Sequence, residues 1–469
     1  MTEKAKTENG TKKRRERDDS RRRSGSICDS MYRIPLSSLS HNELTAHKAK
    51  LTMTPSDSFR ESTPFNAFVQ TTSHLCVPRY YGLHEFGPAE KDGTDAGESI
   101  SSTFRGTLKP HQVKATSSIL EECGREDRHP NGGMLVIGCG MGKTVCGIYV
   151  AMSLGVRTLV LVHKGFLMDQ WAERIRQFTD ATVGYIRQDR EDKGKDITIA
   201  MIQSICKRTY DLTGYGLLIV DEAHHVAAPL FKEAIFKVAS RHVLSLSATP
   251  ERRDGLTRLL YHSMGGILYA QERPPEVVHV RRLIATQEKR REIVGYDGRP
   301  NYARMLNQIA SDTVRTRKVA SYLLSSVLKE GRRRLLVLSD RINHLESLHG
   351  LLLSSSPDLP CGFYIGRSTE EEREEAEKKT VILSTYCMAR EGLDFPFLDT
   401  LVLLSPIGDV TQAVGRILRH QEGKADPLVV DVTDDYSLFL YMSKKRLSYY
   451  TKQDYLLETL SLDAETLHV

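Results

Sequence analysis

Met134-Leu135-Val136-Ile137-Gly138-Cys139-Gly140-Met141-Gly142-Lys143-Thr144 is an apolar run that breaks into alternating glycines and ends on Lys-Thr. Four apolar residues in a row, closed by a loop, are what a strand buried on both faces requires. The glycines permit positive φ angles and let backbone N–H groups curl around an anion. In such a loop Lys143 would reach the β- and γ-phosphates of a nucleotide, and Thr144 would place its hydroxyl on Mg²⁺. Ile137, Gly138, Cys139, Gly140, Met141 and Gly142 complete the expected cradle. The strict pattern wants glycine where this chain has Ile137, so an ordinary glycine-rich turn between strand and helix stays open on this stretch alone.

Working outward, the runs Thr158–Val162, Ile197–Met201 and Gly216–Val220 repeat the strand pattern, separated by helix-like segments. A second series follows at Leu335–Leu338, Thr380–Leu383, Thr400–Leu404 and Pro427–Val430, without a phosphate loop of its own. Alternating strands and helices predict an α/β chain with parallel sheets, which bind ligands at the carboxyl ends of their strands. Asp221-Glu222 falls at such an end. There Asp221 would hold the Mg²⁺ hydration shell and Glu222 would orient and deprotonate an attacking water; a surface acid pair is the alternative. His224 has no accompanying His/Cys cluster and is expected to couple the site to Ser247 and Thr249 rather than to bind metal. Farther on, Gln412, Gly415, Arg416 and Arg419 lie on an expected helix. The two arginines are three apart, so they share a face, where they would act as arginine fingers on a γ-phosphoryl group or as plain surface charge.

Composition narrows the class. The chain has 469 residues, 40% hydrophobic and 27% charged, with a net charge of +6. Residues 1–23 hold ten Lys/Arg against five acids, so nearly all of the net charge sits in the tail and the body is close to neutral. A nucleic-acid track on the body must then be a local groove, not a global field. No apolar run approaches the ~18 residues of a membrane span, and the N-terminus lacks the apolar stretch of a signal peptide. Eight cysteines without a Cys-x-x-Cys pair support neither zinc nor a disulfide framework and fit an intracellular chain. The basic clusters Lys12–Arg15 and Arg21–Arg23 would serve as a nuclear-localisation signal, as a nucleic-acid arm, or only as a solvated tail.

The expected organisation is a disordered basic tail (1–30), an N-terminal accessory region or strand layer (31–104), a first core (105–272), a linker and helix (273–332), a second core (333–455) and a C-terminal tail (456–469). Glu370–Lys379, charged throughout, is expected to be a solvated surface helix.

From about Cys76 to Tyr455 the chain resembles the superfamily 2 DEAH-box helicases of the XPB-like branch, and within it the helicases of large DNA viruses of iridovirus and poxvirus type. Gly106–Gln112 is similar to the family's entry motif, Leu159–Trp171 to motif Ia and Ile199–Ser204 to motif Ib. Ser247–Gly255 is similar to motif III, Leu338–Arg341 to motif IV and Ala389–Asp394 to motif V. The resemblance implies two RecA-like domains in tandem with a nucleotide cleft between them, and ATP and Mg²⁺ as cofactors. It implies that Gln112 reads the adenine and that Gly392 and Asp394 join the nucleotide site. It places Lys164, Gln203, Ser339, Arg341 and Thr385 on a nucleic-acid strand, touching phosphates rather than base edges. It further implies 3′→5′ movement on DNA, with RNA or RNA–DNA hybrids as other substrates, a monomeric protein with no membrane partner, and, for a viral relative, work in transcription or replication in the host cell. A duplex translocase that remodels complexes without unwinding, a non-catalytic scaffold and an oligomeric ATPase are the competing readings.

Overall fold

The computed structural model describes residues 24–55, 63–127, 129–138, 140–192, 194–222, 228–248, 256–271, 277–285, 291–296, 298–331, 333–391, 395, 397–418, 421 and 423–462. Two compact units divide the chain, Met1–Arg273 and Pro274–Val469. No helix among the described residues is long and apolar enough to cross a membrane.

The first unit is built on an eight-stranded sheet. Its order is Arg190–Glu191, Val183–Arg187, Ile197–Met201, Thr158–Val162, Leu217–Asp221, His242–Ser247, Asn131–Ile137 and Ile267–Gln271. Every pairing is parallel except the short hairpin Val183–Arg187/Arg190–Glu191. Alternation along each strand feeds two cores. Leu159, Leu161, Leu218 and Val220 enter one face. Val160, Val162, Leu217 and Ile219 enter the other, with Trp171 and the helix Lys143–Leu154.

Residues between 24 and 104 supply a layer on the first of these faces. A five-stranded sheet runs in the order Val69–Gln70, His74–Val77, Tyr32–Pro35, Ile27–Cys28, Lys91–Asp92. Its Tyr32, Ile34, Leu75 and Val77 share a buried cluster with Met134, Leu159 and Leu218. The layer therefore packs as part of the first unit. Ile27–Cys28 is a strand within the stretch expected to be disordered; the rest of the basic tail, 1–23, lies outside the described residues.

The second unit carries a seven-stranded, all-parallel sheet. Its order is Cys361–Tyr364, Val381–Ser384, Leu335–Leu338, Thr400–Leu403, Leu428–Asp434, His279–Ala285, Leu456–Ser461. Two expectations change here. The 273–332 stretch, read as linker and helix, contributes His279–Ala285, which pairs with a strand on each side. The 456–469 tail contributes the edge strand Leu456–Ser461. Neither is a continuous buried apolar run: Arg281 and Arg282 interrupt the first, and the second is exposed along nearly its whole length. Between 302 and 322 come two helices, Tyr302–Ala310 and Thr313–Tyr322. Arg315 on the second forms a buried two-pronged ion pair with Asp434, at 3.0 and 2.8 Å. The acidic helix Glu370–Glu377 buries only Ala376, as a solvated helix should.

Candidate functional site

Ile137, fully buried, ends its strand, and the chain turns out of the sheet. The Gly138 N–H donates to Gln271 O at 3.2 Å and the Met141 N–H to Gly138 O at 3.3 Å, which fixes the loop. Gly142 has φ +85° and starts the helix Lys143–Leu154 without any side-chain cap. The first N–H groups of that helix thus point out of its positive end, a ready anion cradle. A Cβ at Gly142 would sit 2.2 Å from Gln112 Nε2. Gln112 is buried and braces the loop: its amide donates to Met141 O (3.3 Å) and Gly142 O (3.4 Å), while its Oε1 accepts from Lys109 N–H (2.8 Å). His111 Nε2 also meets Met141 O, at 2.9 Å. The side chain expected to read a base thus also supports the phosphate loop.

Sheet order brings the second half of the site alongside. Only His242–Ser247 separates the strand before the loop from Leu217–Asp221. Ser247, 2% exposed, ends that intervening strand, between the two loops. Lys143 Nζ lies 3.4 Å from Glu222 Oε1, both side chains only slightly exposed. Glu222 adopts φ +49°, an uncommon backbone for a non-glycine residue. Its N–H donates to Leu246 O at 2.9 Å, holding that conformation.

Asp221 is buried, and its Oδ2 accepts from Trp171 Nε1 at 2.8 Å. Burial pushes its carboxyl up to about 6, and the neighbouring Glu222 charge adds to the rise. The Trp171 hydrogen bond and the Lys143 charge pull it back. A cation would relieve this strain on the charged form. Asp221 and the half-buried Thr144 offer hard oxygen donors, which suit Mg²⁺. Among the described residues no group of three or more His, Cys, Asp or Glu converges to hold a metal alone. That fits an ion which keeps waters and substrate phosphates as its remaining ligands.

The residues assigned to nucleic acid separate into two groups. Lys164 is the extended residue before the helix Gly165–Phe178. Gln203 donates to His163 O at 2.9 Å, so Lys164 and Gln203 occupy adjoining strand ends. Arg187 joins them: its guanidinium lies 3.5 Å from where a Gly165 Cβ would stand. No sequence motif pointed to Arg187; only the parallel pairing of Val183–Arg187 with Ile197–Met201 brings it there.

In the second unit the assigned side chains make internal contacts. Ser339 has no exposed surface; its Oγ pairs with His344 Nδ1 at 3.2 Å and accepts from Arg341 N–H at 3.2 Å. Arg341 spends its guanidinium on Asn307 Oδ1 (2.6 Å), Asp340 O (3.2 Å) and Ala303 O (3.4 Å). In this arrangement both are internal supports. Thr385 is half-buried and accepts from Met388 N–H at 3.4 Å, at the head of the helix Tyr386–Glu391. Gln412 and Arg416 are half-buried on Thr411–Ile417, whose Ala413, Val414 and Ile417 face the core. Cys139, His224, Thr249, Gly392, Asp394 and Arg419 lie outside the described residues.

Comparison with known proteins places this geometry. Residues 105–252 match the family described as type III restriction enzyme, res subunit, and 317–421 the helicase conserved C-terminal domain. A putative ATP-dependent RNA helicase of Acanthamoeba polyphaga mimivirus is 34% identical over 405 residues, 83% of this chain and 77% of that protein. The DNA 3'-5' translocase XPB2 of Sulfurisphaera tokodaii is 26% identical over 384 residues, 71% of this chain and 83% of its own. Among solved structures, a fragment of a putative HsdR subunit of a type I restriction enzyme from Vibrio vulnificus superposes with a TM-score of 0.55. It is 18% identical and covers 77% of this chain and 70% of that one. That likeness concerns the fold.

Proposed function

We propose that this chain, which belongs to the XPB-like branch of the superfamily 2 helicases and hydrolyses ATP, tracks 3′→5′ along DNA and separates strands. The observation that carries its hydrolytic half is the convergence of Lys143 on Glu222 at 3.4 Å, beside the buried Asp221; DNA and the 3′→5′ sense are taken from the likeness to the relative named a DNA 3'-5' translocase. In it, the phosphate-loop N–H groups and Lys143 hold the β- and γ-phosphates. Glu222 takes the proton of the attacking water, and Lys143 offsets its charge until substrate arrives. Asp221 and Thr144 would hold Mg²⁺, which neutralises charge on the phosphates when bound. Arg416 and Arg419 would act as arginine fingers, with Gln412 beside them, on the charge developing at the γ-phosphoryl group. His224 and Thr249 would couple that chemistry to Ser247, and Gly392 and Asp394 would complete the nucleotide contacts. Lys164, Gln203 and Arg187 would bear on strand phosphates, which positions the protein without reading sequence.

The test is ATP hydrolysis by the purified protein, alone and with single-stranded DNA, duplex DNA and RNA, beside Glu222→Gln. We expect stimulation by DNA and its loss, by a factor of roughly 10² or more, in the variant. Normal stimulated hydrolysis by Glu222→Gln would remove Glu222 from its role as base. The relative named a DNA 3'-5' translocase favours keeping a second reading, translocation without strand separation. Strand displacement measured beside triplex displacement separates the two.

A further inference from the structure

We propose that Trp171 is the positioning residue of Asp221: its indole N–H fixes the carboxylate that takes the magnesium–nucleotide, and the phosphate-loop helix fixes the indole. The proposal rests on the reading of Asp221 as the metal-holding carboxylate. Trp171 sits on the buried face of Gly165–Phe178 with Met168, Ala172 and Ile175, 1% exposed. An apolar side chain would fill that space equally well. An indole adds one donor and no acceptor, and here the donor is spent on Asp221 Oδ2 at 2.8 Å. Deep in the core, a carboxylate oxygen stripped of its donor has no water to replace it.

The other edge of the ring is set with equal care. A Cβ built on Gly147 would stand 3.0 Å from Trp171 Cη2 and 3.1 Å from Leu246 Cδ1. Gly147 lies on the helix that Lys143 begins. The indole is thereby wedged between the helix that presents the phosphate-binding lysine and the strand end that presents Asp221. It sets the spacing of the two groups that must grip one substrate. A methyl at 147 would push the indole or the helix aside by a few tenths of an ångström.

The experiment uses the whole chain, whose single tryptophan makes its emission unambiguous. In the unmodified protein the emission should change when Mg²⁺ is added with ADP, and not with ADP alone. In Asp221→Asn the Mg²⁺ response should vanish. Trp171→Phe, with cooperative thermal unfolding as the check on folding, should raise the Mg²⁺ concentration for half-maximal hydrolysis by about ten-fold or more. Its affinity for a fluorescent metal-free ADP analogue should stay unchanged. Gly147→Ala keeps the indole but crowds it, and should move the Mg²⁺ requirement in the same direction; it decides the matter if Trp171→Phe fails to fold. An unshifted Mg²⁺ requirement in the folded variants, or emission indifferent to Mg²⁺, overturns the proposal. Asp221→Asn hydrolysing ATP with the ordinary Mg²⁺ dependence would instead overturn the role of Asp221 itself.

Discussion

Gly142 is the residue on which the phosphate loop turns. Its φ of +85° costs an L-residue about 1 kcal/mol or more, and an added Cβ would strike Gln112 Nε2. Gly142→Ala should therefore displace Gln112 as well as strain the loop. We expect ATP affinity to fall at least about ten-fold as the loop is displaced, and stability to thermal unfolding to drop by the strain and the lost hydrogen bond, about 1–2 kcal/mol together. Affinity within error of the unmodified protein would show that the loop relaxes freely. Gly142, Lys143, Asp221 and Glu222 could be singled out in the sequence because each follows an apolar strand, although a plain turn and a surface acid pair stayed open there; the meeting of Lys143 with Glu222 at 3.4 Å is visible only in the fold. Trp171 was not legible, since one tryptophan on an apolar helix face looks like core filling. Its hydrogen bond depends on strand order, which local pattern does not contain. Gln112 was legible through resemblance, but its grip on the loop was visible only in three dimensions.

Among the elements, the helix Thr313–Tyr322 is tied to the second sheet by a buried side chain. Arg315 joins it to the end of Leu428–Asp434 through Asp434, and also donates to Leu404 O at 2.9 Å, with the ion pair wholly buried. Removing the cation takes the guanidinium's hydrogen bonds away from a buried carboxylate and a buried carbonyl. Arg315→Ala should cost about 3–5 kcal/mol and lower the unfolding temperature of the second unit; a loss below about 1 kcal/mol would mean that water replaces the guanidinium. The strand pattern of this unit was legible wherever strands were continuous apolar runs. It failed at His279–Ala285, where Arg281 reaches Glu458 at 3.5 Å and Arg282 reaches Ser443 Oγ at 2.9 Å. Both partners lie far along the chain, so the local pattern gives no warning.

For the molecule as a whole, acid stability follows from groups that burial holds neutral. His242 and His262 are both pushed down to about 4, and His129 is lowered, in each case chiefly by burial. Between pH 6.5 and about 4 the unfolded chain protonates His242 and His262 and the folded chain does not. Stability therefore falls as pH falls, by at most about 1.4 kcal/mol per pH unit for His242 and less for the partly solvated His262. Asp221, raised to about 6, works against this: the folded chain binds its proton first, which adds stability as pH drops from about 6 toward 3.8. The ligand-free protein should lose unfolding temperature from pH 7 to pH 5, and Asp221→Asn should lose it more steeply. Equal slopes would mean that Asp221 is ionised throughout that range.

The placement of His279–Ala285 also bears on how the protein is made. This strand is the first of its sheet to be synthesised, yet its two neighbours are the last, Leu428–Asp434 and Leu456–Ser461. At about 5–20 residues per second it waits roughly 7–30 s on the ribosome with both edges bare. Bare edges invite pairing with foreign strands, and charged side chains discourage it. Arg281 and Arg282 break the apolar pattern of the strand, and in that interval they guard it against the wrong neighbour.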